Sequence, residues 1–430
     1  MKMAYFDCAE LEERIKLNYE RLKNDPYYQI GDVFSPLSYE WYGDKEGRAL
    51  LAFVSHYKIS GQRIDCMDQM MAQMREKTNS QLFFGPYAGE VIHEQQLSGH
   101  SWLLRGLCEY YEQFGDDLSY EMIESIVKNL YFPTKGRYHT YPVNRQKKNE
   151  GGVSGSSVGE LDGWRLSSDI GCAFMSIDGL SHAYEITKSR ELRDLIDEMI
   201  EVYLGIDKLT LKVQTHCTLT AARGMMRMYR MTQDRAYLTG AESIYRLYVE
   251  EGGMTASYQN VNWWGRNDTW TEPCAIVDSL MLACELYLVT GNEDYRVTAV
   301  RIWHNGLATA QRSNGGAGTD TVVIKAEGGT DVLHSKKYEA FFCCTMRLSE
   351  GLWYAKEHCD LLFATRTGAV TRQPNGTYAD GDILYAEIEG GDAYMTEAPI
   401  TVDGHKLHPL LKYYRIPKED MERIRQRVLF

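Results

Sequence analysis

The run Trp270-Thr271-Glu272-Pro273-Cys274, the apolar stretch over 275–288 and the ending Tyr287-Leu288-Val289-Thr290-Gly291 together read as one complete helix. Proline suits the first helical position, where its missing N–H would have no partner. Pro273 therefore predicts the helix start, with Glu272 at the cap and Cys274 in the first turn. The ending recurs, as Tyr-x-x-Ser/Thr or a variant followed by polar turn residues, at Tyr57-Lys58-Ile59-Ser60-Gly61, Tyr111-Glu112-Gln113-Phe114-Gly115, Tyr184-Glu185-Ile186-Thr187 and Tyr229-Arg230-Met231-Thr232. A second helical pattern follows each copy. Irregular spacing with fixed turn chemistry argues for helical hairpins carrying insertions, not for a strict solenoid. Residues 9–23 form a further amphipathic pattern, with Leu11, Ile15, Tyr19 and Leu22 at helical spacing. Paired with a helix over 346–357, it makes a sixth hairpin. The predicted fold is mainly α, an (α/α)6 toroid of six helical hairpins. Its inner-helix starts and long loops share one face, where the pocket is expected.

Residues 362–372 and 383–389 alternate apolar and polar side chains, with Asn375-Gly376 and Gly390-Gly391 as turns. The expected organisation is a toroid over 1–360 and a short β-rich region over 361–430, with an exposed charged helix at 418–427. A long insertion over 131–163 carries a Gly/Ser tract at 151–159 that cannot make a core. It reads as a functional segment or mobile lid, or else as a disordered linker.

The balance of 47 basic against 60 acidic residues gives a net charge of −13, which argues against nucleic acid and anionic membranes as partners. Thirty tyrosines and eight tryptophans suit carbohydrate faces as well as core packing. The first residues lack an apolar signal core, and no window is read as a transmembrane span. Ten cysteines without a signal peptide point to the cytoplasm, where metal-binding or catalytic roles are open to them.

Glu272 and Cys274 fall at the positive end of a helix dipole, which favours the ionised form of both. With the adjacent pair Cys343-Cys344 they make a set of three sulfurs and one carboxylate, which zinc accepts tetrahedrally. The spacing is not that of a zinc finger, and reduced cysteines are also common in cores, so both readings stand on chemistry alone. Glu-x-Cys before a long helix, then a downstream Cys-Cys, resembles the signature of the β-L-arabinofuranosidases, glycoside hydrolase family 127, over about 11–384. The resemblance implies the same toroid and Zn2+ held by Glu272, Cys274, Cys343 and Cys344. It also implies Cys343 as the nucleophile of a retaining reaction on small oligosaccharides or glycosides. Such proteins continue into a full β-sandwich. Here about seventy residues follow the last helix, so the β region is expected to be truncated or completed by another subunit, which leaves a homo-oligomer open.

The resemblance also implies a general-acid glutamate in a Gly-Glu pair after a Gly-Gly turn. The turn is present as Gly252-Gly253, but residues 254–264 contain no glutamate. Glu250, Glu251 and Asp268 are the nearest carboxylates, and Glu251 is the weak candidate for the acid. His216 resembles a histidine that contacts the sugar, or it serves as a capping or core residue. Asp44, Glu46 and Arg48, in Gly43-Asp44-Lys45-Glu46-Gly47-Arg48, either bond sugar hydroxyls or ion-pair at a helix start. His100 heads the second hairpin as a substrate-facing candidate. Trp263 and Trp264 either stack on a sugar or pack in the core. Asp169 lies in a segment where the family carries a histidine that is missing here, so it joins the substrate-binding candidates. Two alternatives to hydrolysis remain: an epimerase or lyase-like enzyme on the same toroid, and a non-catalytic, zinc-stabilised carbohydrate-binding protein.

Overall fold

The computed structural model describes the chain except for residues 1–3, 37–39, 146–153, 256–257, 267–268, 325–329, 364–370, 373–377, 381–382, 388–392, 396–399, 403–404, 408–413 and 417–430. Helices alternate between an outer and an inner layer. The first hairpins comprise α1 (Ala4–Asn24, outer), α2 (Asp44–Ser60, inner), α3 (Asp65–Lys77), α4 (Glu94–Phe114, inner), α5 (Asp117–Ile126) and α6 (Ser176–Thr187, inner). They continue with α7 (Arg190–Gly205), α8 (Thr215–Thr232, inner), α9 (Arg235–Glu250), α10 (Pro273–Thr290, inner) and α11 (Glu293–Arg301). A π-helical turn and the short α12 (Ala308–Ala310) precede the last inner helix, α13 (Cys344–Glu357), and the short α14 (Cys359–Phe363). Each inner helix packs on the next, and α13 packs on α2, so the ring closes. Helix α1 packs on α13, which makes the sixth hairpin from the two ends of the toroid as expected.

The repeated ending has a structural cause. The carbonyls of Tyr57, Tyr111, Tyr184, Tyr229 and Tyr287 each accept from the N–H four residues on, contributed by Gly61, Gly115, Lys188, Gln233 and Gly291. All five of those residues have positive φ, the left-handed conformation that closes a helix. The sixth inner helix ends in the same bond, His358 N–H to Tyr354 O, but at φ −111°, so no glycine or polar turn marks it in the sequence.

Close approach inside the ring is made at glycines. A Cβ on Gly47 would lie 2.2 Å from the Leu103 nitrogen, one on Gly179 2.5 Å from the Ser101 carbonyl, and one on Gly224 2.6 Å from the Ile177 carbonyl carbon. These positions set the α2–α4, α4–α6 and α6–α8 contacts respectively. Helix α10 is long and apolar enough to cross a membrane, which corrects the reading that no window qualifies. Most of it is buried inside the ring, and being surrounded on all sides accounts for its apolarity.

β structure is more widespread than the sequence predicts. Strands β1 (Ile92–His93), β2 (Ser157–Leu161) and β3 (Trp164–Ser167) form a small sheet from the 131–163 insertion, the residues that follow it and the lead-in to α4. The hairpin β4 (Gly318–Ile324) and β5 (Thr330–Glu339) precedes α13. In the C-terminal part, β6 (Thr371–Arg372), β7 (Tyr378–Asp380), β8 (Ile383–Glu387), β9 (Ala393–Met395) and β12 (Tyr414–Ile416) make a five-stranded antiparallel sheet, and β10 (Ile400–Val402) pairs with β11 (His405–Leu407). Leu362 and Phe363, read as strand, are the last residues of α14 instead. The Asn375-Gly376 and Gly390-Gly391 turns and the charged helix at 418–427 lie outside the described residues. The 44–48 segment is the first turn of α2, the helix start that is one of its two readings.

Gly224→Ala is expected to lower stability by about 1–3 kcal/mol, because backbone of α6 blocks the added methyl. Gln233→Gly, at a left-handed helix end, is expected to raise it by up to about 1 kcal/mol. Urea unfolding midpoints check both, and a neutral Gly224→Ala would contradict the packing described.

Candidate active site

Glu272 caps α10 in an extended conformation and its N–H donates to Asn260 Oδ1 at 2.7 Å. Pro273 and Cys274 occupy the first turn as the sequence predicts. Helix α13 starts at Cys344, two residues ahead of the predicted start, with Cys343 at its cap. The two helix starts meet. Cys274 Sγ lies 3.4 Å from Cys344 Sγ, which is 3.5 Å from Cys343 Sγ. With a Glu272 carboxylate oxygen, these ligand atoms all fall within 4.8 Å of one another. Two sulfurs on one tetrahedral zinc lie roughly 3.8 Å apart, given Zn–S bonds of about 2.3 Å. The side chains therefore already stand near the spacing such an ion requires.

Charge in the cluster is unevenly held. Burial opposes ionisation of Cys274, but hydrogen bonds from the Cys343 and Cys344 thiols and the charges of Arg48 and His216 bring it well below the ordinary thiol range. The bond to Cys274 pushes Cys343 up, and burial together with the same thiolate pushes up Cys344. Arg48 Nη1 donates to Cys274 Sγ at 3.5 Å, and its Nε is held by Asp44 at 2.9 Å. Cys274 and Cys344 are buried, whereas Cys343 is half-buried.

His216, at the start of α8, sits between two carboxylates. Its Nδ1 lies 3.1 Å from Glu272 Oε1, and its Nε2 lies 3.4 Å from Asp278 Oδ2, outside good hydrogen-bond angles. Burial disfavours its charge, but Glu272 and Asp278 outweigh burial and lift its pKa to about 10. Beneath it lies Trp102, stacked at 5.8 Å from the imidazole, with the Arg48 guanidinium 4.0 Å from the indole.

The other candidates divide. Asp169 follows β3 and is buried with Ser154 Oγ 3.2 Å from its Oδ1, and no Lys or Arg pairs with it among the described residues. Burial, then the Glu272 charge, raises its carboxyl to about 7. Glu46 points from the first turn of α2 and is also raised to about 7, by burial. Asp44 and Arg48 form the buried ion pair of a helix start. His100 is committed to the backbone: its Nδ1 bonds Gln96 O at 2.8 Å, and Nε2 accepts from Phe84 N–H at 3.1 Å. With both nitrogens occupied and its ring fully buried, it does not face a substrate. Trp264 is likewise packed in the core, 2% exposed. Glu251 ends α9 in an exposed position, with no side-chain contact to the cluster among the described residues. Asp268 lies outside the described residues.

Below the cluster the ring axis is filled by charge. Asp278 takes Arg223 Nη1 at 2.8 Å, Thr220 Oγ1 at 2.7 Å, and Arg347. Glu350 takes Arg105 at 2.7 Å, Arg223 at 3.3 Å, and Arg347. Asp178 pairs with Arg105 at 3.1 Å and Arg227 at 3.4 Å. Sequence reasoning misses this network and Trp102. Its side chains are spaced along helices like solvated residues, and only the ring geometry turns them inward.

Residues 203–357 match the family model for the β-L-arabinofuranosidase, GH127 catalytic domain. No curated protein sequence matches the chain. Among solved structures, a GH127 β-arabinofuranosidase aligns with TM-score 0.50 at 12% identity, covering 93% of this chain and 66% of that one, so this chain spans about two-thirds of its length. A GH76 α-mannanase from Bacteroides thetaiotaomicron aligns with TM-score 0.50 at 12% identity, covering 83% and 98%. An unsaturated glucuronyl hydrolase specific for heparin aligns with TM-score 0.51 at 11% identity, covering 82% and 98%. These likenesses show the (α/α)6 toroid. All four cluster residues lie within the matched segment, so residues 203–357, the part of the chain that carries the cluster, are similar to the β-L-arabinofuranosidase, GH127 catalytic domain.

Proposed function

We propose that this protein is a retaining glycoside hydrolase acting on small oligosaccharides or glycosides, with Glu272, Cys274, Cys343 and Cys344 as Zn2+ ligands, Cys343 as nucleophile and Asp169 as general acid. One observation carries the reading: of three clustered sulfurs at two facing helix starts, Cys343 alone is half-buried, so it is the one open to a substrate. Zinc, when bound, would hold the thiols deprotonated and offset their mutual repulsion.

In the first step Cys343 Sγ forms a bond to the anomeric carbon while the bond to the leaving oxygen breaks. Asp169 gives that oxygen its proton. In the second step the Asp169 carboxylate takes a proton from water, whose oxygen displaces the sulfur and retains configuration. Asp169 suits the role better than Glu251. It is buried, has no Lys or Arg partner among the described residues, and feels the charge of Glu272, which together outweigh the nearby His216, so it keeps a proton near neutral pH. The Gly-Glu acid implied by the family resemblance has no counterpart here, and the 131–163 insertion helps to fill the gap through Ser154, which bonds Asp169. The reduced cysteines among the described residues support a cytoplasmic setting.

Cys343→Ser is expected to abolish turnover per folded molecule, because a hydroxyl is far harder to ionise than a thiol. Activity that falls only with the folded fraction would remove Cys343 from the mechanism, and sugar binding without turnover in the wild type would favour a non-catalytic role. Asp169→Asn is expected to cost about 10²-fold or more on alkyl glycosides, which need a protonated leaving group. It should cost much less on dinitrophenyl glycosides, which do not. Because the acid form is the active one, wild-type kcat/KM on alkyl glycosides should fall as pH rises past about 7 and Asp169 loses its proton. Loss in Glu251→Gln in place of Asp169→Asn would move the role to Glu251.

A further inference from the structure

His216 does not stand where a sugar contact would. It is 1% exposed, its ring lies against Trp102, and its two nitrogens face two carboxylates on opposite sides. We infer that His216 is a positioning residue that fixes the Glu272 carboxylate for the metal, with Asp278 and Trp102 fixing His216 in turn. This rests on the metal reading above.

The case is geometric. Glu272 is the cap residue of α10, yet its side chain makes no capping bond to its own helix. It is turned away toward α8, where Nδ1 of His216 lies 3.1 Å from Oε1 and Nε2 of Gln214 lies 3.4 Å from Oε2. Each oxygen thus has one protein donor and keeps lone pairs free for a cation. A glutamate ligand on a flexible stem loses rotamer freedom when it binds a metal, and an anchored donor removes part of that cost beforehand. The anchor is itself rigid. Asp278 is held from α8 by Thr220 and Arg223 and from α13 by Arg347. Trp102 is held over the other side by stacking with His216 and by the Arg48 and Arg347 guanidinium groups, 4.0 and 4.9 Å from the ring. The histidine thereby links the only oxygen ligand of the cluster to the axial ion network of the toroid.

Two substitutions separate the two faces of the ring. His216→Asn places an amide N–H near the Nδ1 position and keeps a donor for Glu272. His216→Gln reaches the Nε2 position, keeps its contact with Asp278 and loses the donor to Glu272. Zinc affinity of the full chain, measured by competition with a chromogenic chelator, should be near wild type for His216→Asn and about 10–100-fold weaker for His216→Gln. In a Glu272→Ala background, His216→Gln should have no further effect, since the residue acts through that carboxylate. Circular dichroism and melting of the zinc-free proteins confirm that each variant folds. Equal zinc affinity of His216→Gln and wild type, or the same loss with and without Glu272, would overturn the inference and leave His216 as packing. Failure of the wild type to bind zinc would overturn the metal reading and this inference together.

Discussion

A carboxylate buried at the centre of six helices constrains everything around it. Asp278 is fully buried in the middle of α10, and charged or hydroxyl side chains from α8 and α13 converge on it. Through Arg347 and Arg223 the pairing passes to Glu350, from Glu350 to Arg105 on α4, and from Arg105 to Asp178 on α6. Helix α2 joins by Lys58 to Glu109. Removing one partner of such a buried pair typically costs about 3–5 kcal/mol, because the other charge is left unpaired in a dry interior. The network therefore selects one register for the inner helices, since a helix shifted by a turn would strand several charges together.

That register places the chemistry. With the inner helices in step, the starts of α10 and α13 come level, and their cap residues and first turns meet as Glu272-Pro273-Cys274 against Cys343-Cys344. The glycine contacts at Gly47, Gly179 and Gly224 keep the ring narrow. The axis beneath is closed by Trp102 and the ion pairs, so an incoming group reaches the cluster from the end of the toroid where the inner helices begin. Positive helix ends, Arg48 and protonated His216 all bear on the cluster and favour the ionised form of Cys274 before any cation arrives, whereas Cys343 and Cys344 are pushed up beside it.

The parts legible in the sequence are those set by local backbone chemistry. Pro273 marks a helix start, and the Tyr-x-x-Ser/Thr ending marks five left-handed helix ends, because these depend on a few consecutive residues. The sixth ending at Tyr354 escapes notice because His358 closes the helix without a left-handed residue. The cluster ligands are visible through unusual residue types at the predicted helix starts. The roles of single polar side chains are not. His100 and His216 both lie near inner-helix starts, yet one bonds only backbone and the other bridges carboxylates, and the difference lies in what neighbouring helices present. Arg105, Arg223 and Arg347 go unremarked for the same reason. The sheet β1–β3 is missed because its strands are short, and the hairpin β4–β5 because its register shifts at 319–321 interrupt a regular pairing.

Zinc K-edge X-ray absorption on the purified protein addresses the centre of this picture most directly, because it reports the atoms around the metal regardless of activity. Three sulfurs at about 2.3 Å and one oxygen at about 2.0–2.2 Å are expected, matching Cys274, Cys343, Cys344 and Glu272. A shell dominated by nitrogen, or a folded protein that holds no zinc, would contradict it.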